Sequence, residues 1–216
     1  MDTAYLSKTK IISISILGAI MFAPLFVFRA IGAFDFWWWM STNLLILLSI
    51  AFIIDPEYRY ILNHDFKTGA IRKILFGMVS ALALYALFFA GNYLSRLLFD
   101  FAGSGIQKVY HFKGDASFYR IGLLMLLIIG PGEELFWRGF LQRHYASRLG
   151  RWNGYIAATA LYAAVHVLSG NFMLVVAALV AGVFWGWMYA RYNSMLMNII
   201  SHTAWDIAVF ILFPFN

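Results

Sequence analysis

The chain has 216 residues, of which 62% are hydrophobic and 12% charged, with 21 Phe, 12 Tyr and 8 Trp. Soluble domains are about 45–50% apolar, so the composition excludes an ordinary soluble domain and reads as an integral membrane protein. Cysteine is absent, which excludes disulfides, thiolate metal sites and a cysteine nucleophile. The net charge of +6 reads as loops facing anionic lipid headgroups, with no nucleic-acid partner.

A helix needs roughly 20 apolar residues to cross a bilayer, and seven blocks qualify as candidates. The first is Ile11 to Ile31, after Lys8 and Lys10; it is long and lacks a small-residue cleavage site, so it is expected to be a retained helix. The second, Phe36 to Ile54, opens on Trp37-Trp38-Trp39 and stops at Asp55-Pro56. A polar segment, Glu57 to Lys73, leads to the third block, Ile74 to Leu98. Asp100 to Tyr119 reads as a loop with room for a short interfacial helix. The fourth block, Phe118 to about Tyr145, carries Gly130-Pro131-Gly132-Glu133-Glu134 and Arg138, and a basic loop follows it. The fifth is Tyr155 to Leu168, the sixth Phe172 to Tyr189 with Gly182-x-x-x-Gly186, and the seventh Met195 to Leu212. The expected fold is an all-α polytopic transmembrane helix bundle of about seven spans, or eight if a re-entrant segment hides one. It forms a single membrane domain over 1–216. The Lys/Arg bias, ten on the N-terminal side against five opposite, places the N-terminus in the cytoplasm.

Polar residues inside the blocks cluster late. Block four has Glu133, Glu134 and Arg138, block five Tyr162 and His166, and block seven Asn198, His202 and Asp206. Ionisable residues at membrane depth are costly and mark function by default. A site between spans four, five and seven is therefore expected. Glu134 and Arg138 are i,i+4 and form an ion pair. Glu133 lies about 100° around the helix and is left free for general acid/base work. Pro131 removes a backbone donor between two glycines, so the helix is expected to kink or open just before the glutamates. His64, His111 and His144 fall in polar segments and read as solvated. Trp137, Trp185, Trp187 and Trp205 read as packing or lipid-facing.

Together Glu133-Glu134-x-x-x-Arg138, Tyr162-x-x-x-His166 and His202-x-x-x-Asp206 resemble the three motifs of the CPBP intramembrane proteases, also called the Abi or CAAX prenyl protease 2 family. The family's usual residue at Tyr162 is Phe, and at Asp206 it is often Asn. The resemblance covers 118–212 as a motif-bearing core. It implies an intramembrane endopeptidase in which Glu133 and His166 activate a water. His202 with Asp206 then stabilises the tetrahedral oxyanion, with Glu134, Arg138 and Tyr162 in support. An ionised Asp206 cannot donate to an oxyanion, so it is expected to orient His202 or to be protonated.

Family members have been described both as metal-free glutamate proteases and as metalloproteases. The metal-free scheme, with no cofactor, is favoured here. In the metal-dependent alternative, Glu133, His166 and His202 hold zinc. The expected substrate is a membrane-anchored protein or peptide, cut near its membrane-embedded or C-terminal part. A prenylated tail, a sorting tail and a leader peptide all remain open, and the expected location is a bacterial or archaeal cytoplasmic membrane. The alternative classes are a proton-coupled transporter and a non-catalytic scaffold binding partner helices through Gly182 and Gly186.

Overall fold

The computed structural model describes residues 6–215; the outer ends of the expected 1–216 domain lie outside the described residues. The chain is helical throughout. Helix α1 spans Lys8–Phe28, α2 Phe36–Ile54, α3 Pro56–Lys67, α4 Ala70–Leu98 and α5 Ala102–Tyr110. A continuous helical rod then covers 118–149. It consists of α6 Phe118–Leu124, a π segment π1 Met125–Ile129, α7 Gly130–Glu133, π2 Glu134–Gln142 and α8 Arg143–Leu149. The chain ends in α9 Arg151–Val167, α10 Phe172–Tyr192 and α11 Met195–Ile207, which runs into π3 Ala208–Leu212.

All seven apolar blocks are helical, and among the described residues five helices are long and apolar enough to cross a membrane: α1, α2, α4, α10 and the α11–π3 unit. The fourth and fifth expected spans fall outside that set for physical reasons. The rod is divided by π segments and carries Glu133, Glu134 and Arg138, while α9 has only 17 residues. The polar segment after Asp55 is not a loop: it is the amphipathic helix α3, with Pro56 at its first turn. The stretch Asp100 to Tyr119 does contain a short helix, α5.

Helix starts follow side-chain caps, which satisfy first-turn N–H groups that have no helical partner. Asp35 accepts from the N–H groups of Trp37 and Trp38, Asn171 from Met173 and Leu174, and Ser194 from Met197. Asp65 of α3 adds a tertiary cap on α11: its carboxylate accepts the Leu196 N–H at 2.9 Å and is paired with Lys73.

The rod lies at the centre of the bundle. Phe136, Trp137, Phe140 and Leu141 are fully buried in the larger apolar core with Leu44, Leu47 and Tyr58. Helix α4 is outermost, with only 17% of its span buried, and it packs chiefly on α11. Pro131 does not break the rod. The helix widens instead, with the Gly130 N–H reaching back five residues to the Met125 carbonyl. A π turn holds an extra residue and so accommodates a proline that an α turn would reject. One carbonyl in π2, that of Leu135, is met by the Tyr58 hydroxyl at 2.7 Å.

Candidate intramembrane active site

Three close approaches bring the motif helices together, and each depends on a residue without a side chain. A Cβ on Gly130 would lie 2.5 Å from Thr203 Oγ1, so the rod packs on α11 next to His202. A Cβ on Gly182 would lie 3.0 Å from Tyr162 Cδ1, and one on Gly186 would lie 2.9 Å from Thr159 Oγ1. The Gly182-x-x-x-Gly186 face of α10 is therefore occupied by α9 of the same chain. That removes the face proposed for partner helices.

Glu134 and Arg138 pair as the i,i+4 spacing predicts, with Arg138 NH1 3.0 Å from Glu134 Oε1 and both side chains buried. The pair is less local than the spacing alone implies. His202 Nδ1 donates to the same Glu134 oxygen at 2.8 Å, and Asn198 Nδ2 donates to Glu134 Oε2 at 2.8 Å. Glu134 thus ties the rod to α11 as well as to Arg138.

Glu133, on the neighbouring face, has different company. Tyr162 Oη donates to its Oε2 at 3.1 Å, and His202 Nε2 is 3.5 Å from the same atom. Asp206 Oδ1 lies 3.6 Å from His202 Nε2. His202 therefore has Glu134 on one ring nitrogen and Glu133 with Asp206 on the other. A neutral imidazole donates from one nitrogen only, so a proton must be shared among these groups. His166 Nδ1 donates to the Tyr162 carbonyl at 2.7 Å, which leaves its Nε2 available.

Glu133, Tyr162, His166, His202 and Asp206 all line one cavity of about 140 Å³. The remaining walls are apolar, including Phe26, Phe36, Phe112, Met125 and Phe210. Spans four, five and seven supply its ionisable side chains, while α1, α2, α5 and α10 add apolar walls. Two contributors escape the sequence reading. Asn198 is visible there only as a polar residue in block seven. Trp185 reads as packing, yet it stacks on His202 with ring centroids 3.6 Å apart.

Trp187 does face outward, whereas Trp137 and Trp205 are buried. His64 and His111 are exposed as expected, but His144 is not solvated. It is buried on α8, with Nε2 3.0 Å from Asp55 Oδ2, because α8 turns that face toward the α2–α3 junction. Arg143 pairs with the same Asp55 carboxylate.

The metal-dependent alternative needs Glu133, His166 and His202 as a ligand set. Among the described residues, no three His, Cys, Asp or Glu side chains are gathered to hold a metal ion. His202 is instead taken up by carboxylates on both nitrogens. The donors as placed do not fit a metal centre, and no step below passes through one.

The family model for type II CAAX prenyl endopeptidase Rce1-like proteins matches residues 115–208. This part of the chain is similar to the Rce1-like CAAX protease family. The match spans every motif residue from Glu133 to Asp206. No curated protein and no solved structure matches the chain. The match supports a peptidase, a membrane-associated protein substrate and an integral membrane setting, in keeping with the apolar helices.

Proposed function

We propose that the chain is an intramembrane endopeptidase that hydrolyses a peptide bond near the membrane-embedded or C-terminal part of its substrate. The observation that carries this reading is the convergence of Glu133, His166, His202 and Asp206 on one buried cavity. Tyr162 engages Oε2 of Glu133, leaving Oε1 to take a proton from water. The resulting hydroxide adds to the scissile carbonyl carbon. His202 Nε2–H donates to the developing oxyanion, and Glu134 fixes the ring through Nδ1. The C–N bond then breaks, and Glu133 returns the proton to the leaving amine. His166 Nε2 holds the water. Asp206 shares the proton on His202 and so orients it.

The test uses full-length protein reconstituted in lipid, with membrane-anchored peptides bearing a prenylated tail, a sorting tail or a leader sequence. Cleavage by wild type that is lost in both Glu133→Gln and His166→Ala is the expected result. Cleavage unchanged in both variants overturns the assignment.

A further inference from the structure

A second cavity, of about 330 Å³, lies where α8 begins, α9 begins and α10 ends. Gln142, Arg143, Arg151, Tyr189, Arg191 and Asn193 line it. It shares no lining residue with the candidate active site. Its volume is far above the ~10–15 Å³ that holds one water, so it has room for a polyatomic group.

Three arginines from three elements line it, and their charges repel unless an anion offsets them. Arg143 has Asp55, whose carboxylate also takes His144. Asp65 on α3 is committed to Lys73, Ser194 and the Leu196 N–H. Among the described residues, Arg151 and Arg191 have no carboxylate partner. Helix α9 adds to the positive field, since it starts at Arg151 with Gly150 as cap and no side-chain bond to its first N–H groups.

Gln142 is held in place beside the cavity: the residue is 2% exposed, and its Nε2 donates to the Gly186 carbonyl at 2.8 Å. We propose that this cavity binds a phosphate-ester anion, with arginine forks taking the phosphate oxygens. A glycerophospholipid headgroup and a soluble glycerol phosphate share this chemistry.

The experiment measures thermal unfolding of the full-length protein in nanodiscs. The lipid arms are phosphatidylcholine alone or with phosphatidylglycerol. A third arm adds glycerol 3-phosphate to phosphatidylcholine discs. The variants are R151Q/R191Q and, as a control of equal charge, R59Q/R72Q; all four arginines are exposed.

Phosphatidylglycerol or glycerol 3-phosphate is expected to raise Tm of the wild type and the control. R151Q/R191Q is expected to show at least a tenfold weaker apparent affinity. A response to phosphatidylglycerol alone identifies the lipid source, and one to glycerol 3-phosphate the soluble source. No shift from either, or equal loss in both double variants, overturns the site.

Discussion

His202 Nδ1 and Arg138 NH1 meet on one atom, Glu134 Oε1, at 2.8 and 3.0 Å. Glu134 therefore holds a buried cation and orients an imidazole at once. Removing one member of a buried ion pair costs about 3–5 kcal/mol, because the other charge is left unpaired. Glu134→Gln is expected to destabilise the protein by about that amount. It should also slow cleavage by about 10–100-fold, the usual cost of losing a partner that orients a functional histidine. Thermal unfolding and kcat measured on the same preparation check both.

Glu133 makes the opposite prediction. It has no arginine hydrogen-bonded to it, and its nearest donors are Tyr162 Oη and His202 Nε2. Glu133→Gln is expected to leave the unfolding midpoint close to wild type while cutting kcat by about 10²–10⁴-fold, the share of a general base. Tyr162→Phe removes only the hydroxyl and restores the residue usual in the family the motifs resemble. Its loss is expected to stay below about tenfold, less than a full catalytic group contributes. A kcat for Tyr162→Phe as low as that of Glu133→Gln would show that the hydroxyl takes part in the chemistry.

Much of this site is legible in the sequence because its parts repeat at local spacing. The i,i+4 pairs Glu134–Arg138 and His202–Asp206 are set by helix geometry, and three apolar blocks carry most of the buried charge. What cannot be read is pairing across the bundle. Glu134 meets His202 over 68 positions and Asn198 over 64. The stacking of Trp185 on His202 also has no local signal. His144 reads as solvated for the same reason: its partner Asp55 is 89 positions away. Helix α3 reads as a polar segment because it has an apolar face but too few apolar residues to form a block. Pro131 signals a local change correctly, but a widened helix and a broken one share that sequence signature.

Asp55 gives the fold an acid-sensitive clamp at the α2–α3 junction. Burial pushes its carboxyl up, but the His144 hydrogen bond and the Arg143 guanidinium outweigh this and hold it below its ordinary value of 3.8. A group depressed on folding contributes stability that is fully present above its unfolded value and lost as pH falls through the folded one. Wild type is thus expected to melt higher than Asp55→Asn at neutral pH, and the gap should narrow once pH drops below 3.8. Unfolding midpoints of both proteins from pH 7 to about pH 3 check it. A gap that stays constant across that range counts against the clamp.

The last prediction concerns residues with no functional group. Gly130 lets the rod approach Thr203, and Gly182 lets α10 approach Tyr162. The two contacts cannot absorb a methyl equally well. The Gly130 neighbour at 2.5 Å is a buried hydroxyl, with Thr203 Cα behind it at 3.1 Å, so the two helices must separate. At Gly182 the neighbour is a ring edge at 3.0 Å, which can tilt by a few tenths of an ångström. Overpacking of a close helix contact costs about 1–3 kcal/mol. Gly130→Ala is expected to fall in that range and to lower kcat, because it moves Glu133 and Glu134 away from His202 together. Gly182→Ala is expected to be milder in stability, and to act on kcat through the Tyr162 bond to Glu133. Combining each alanine with Tyr162→Phe separates the two routes. The kcat effect of Gly182→Ala should largely disappear when Tyr162→Phe is already present, whereas that of Gly130→Ala should persist.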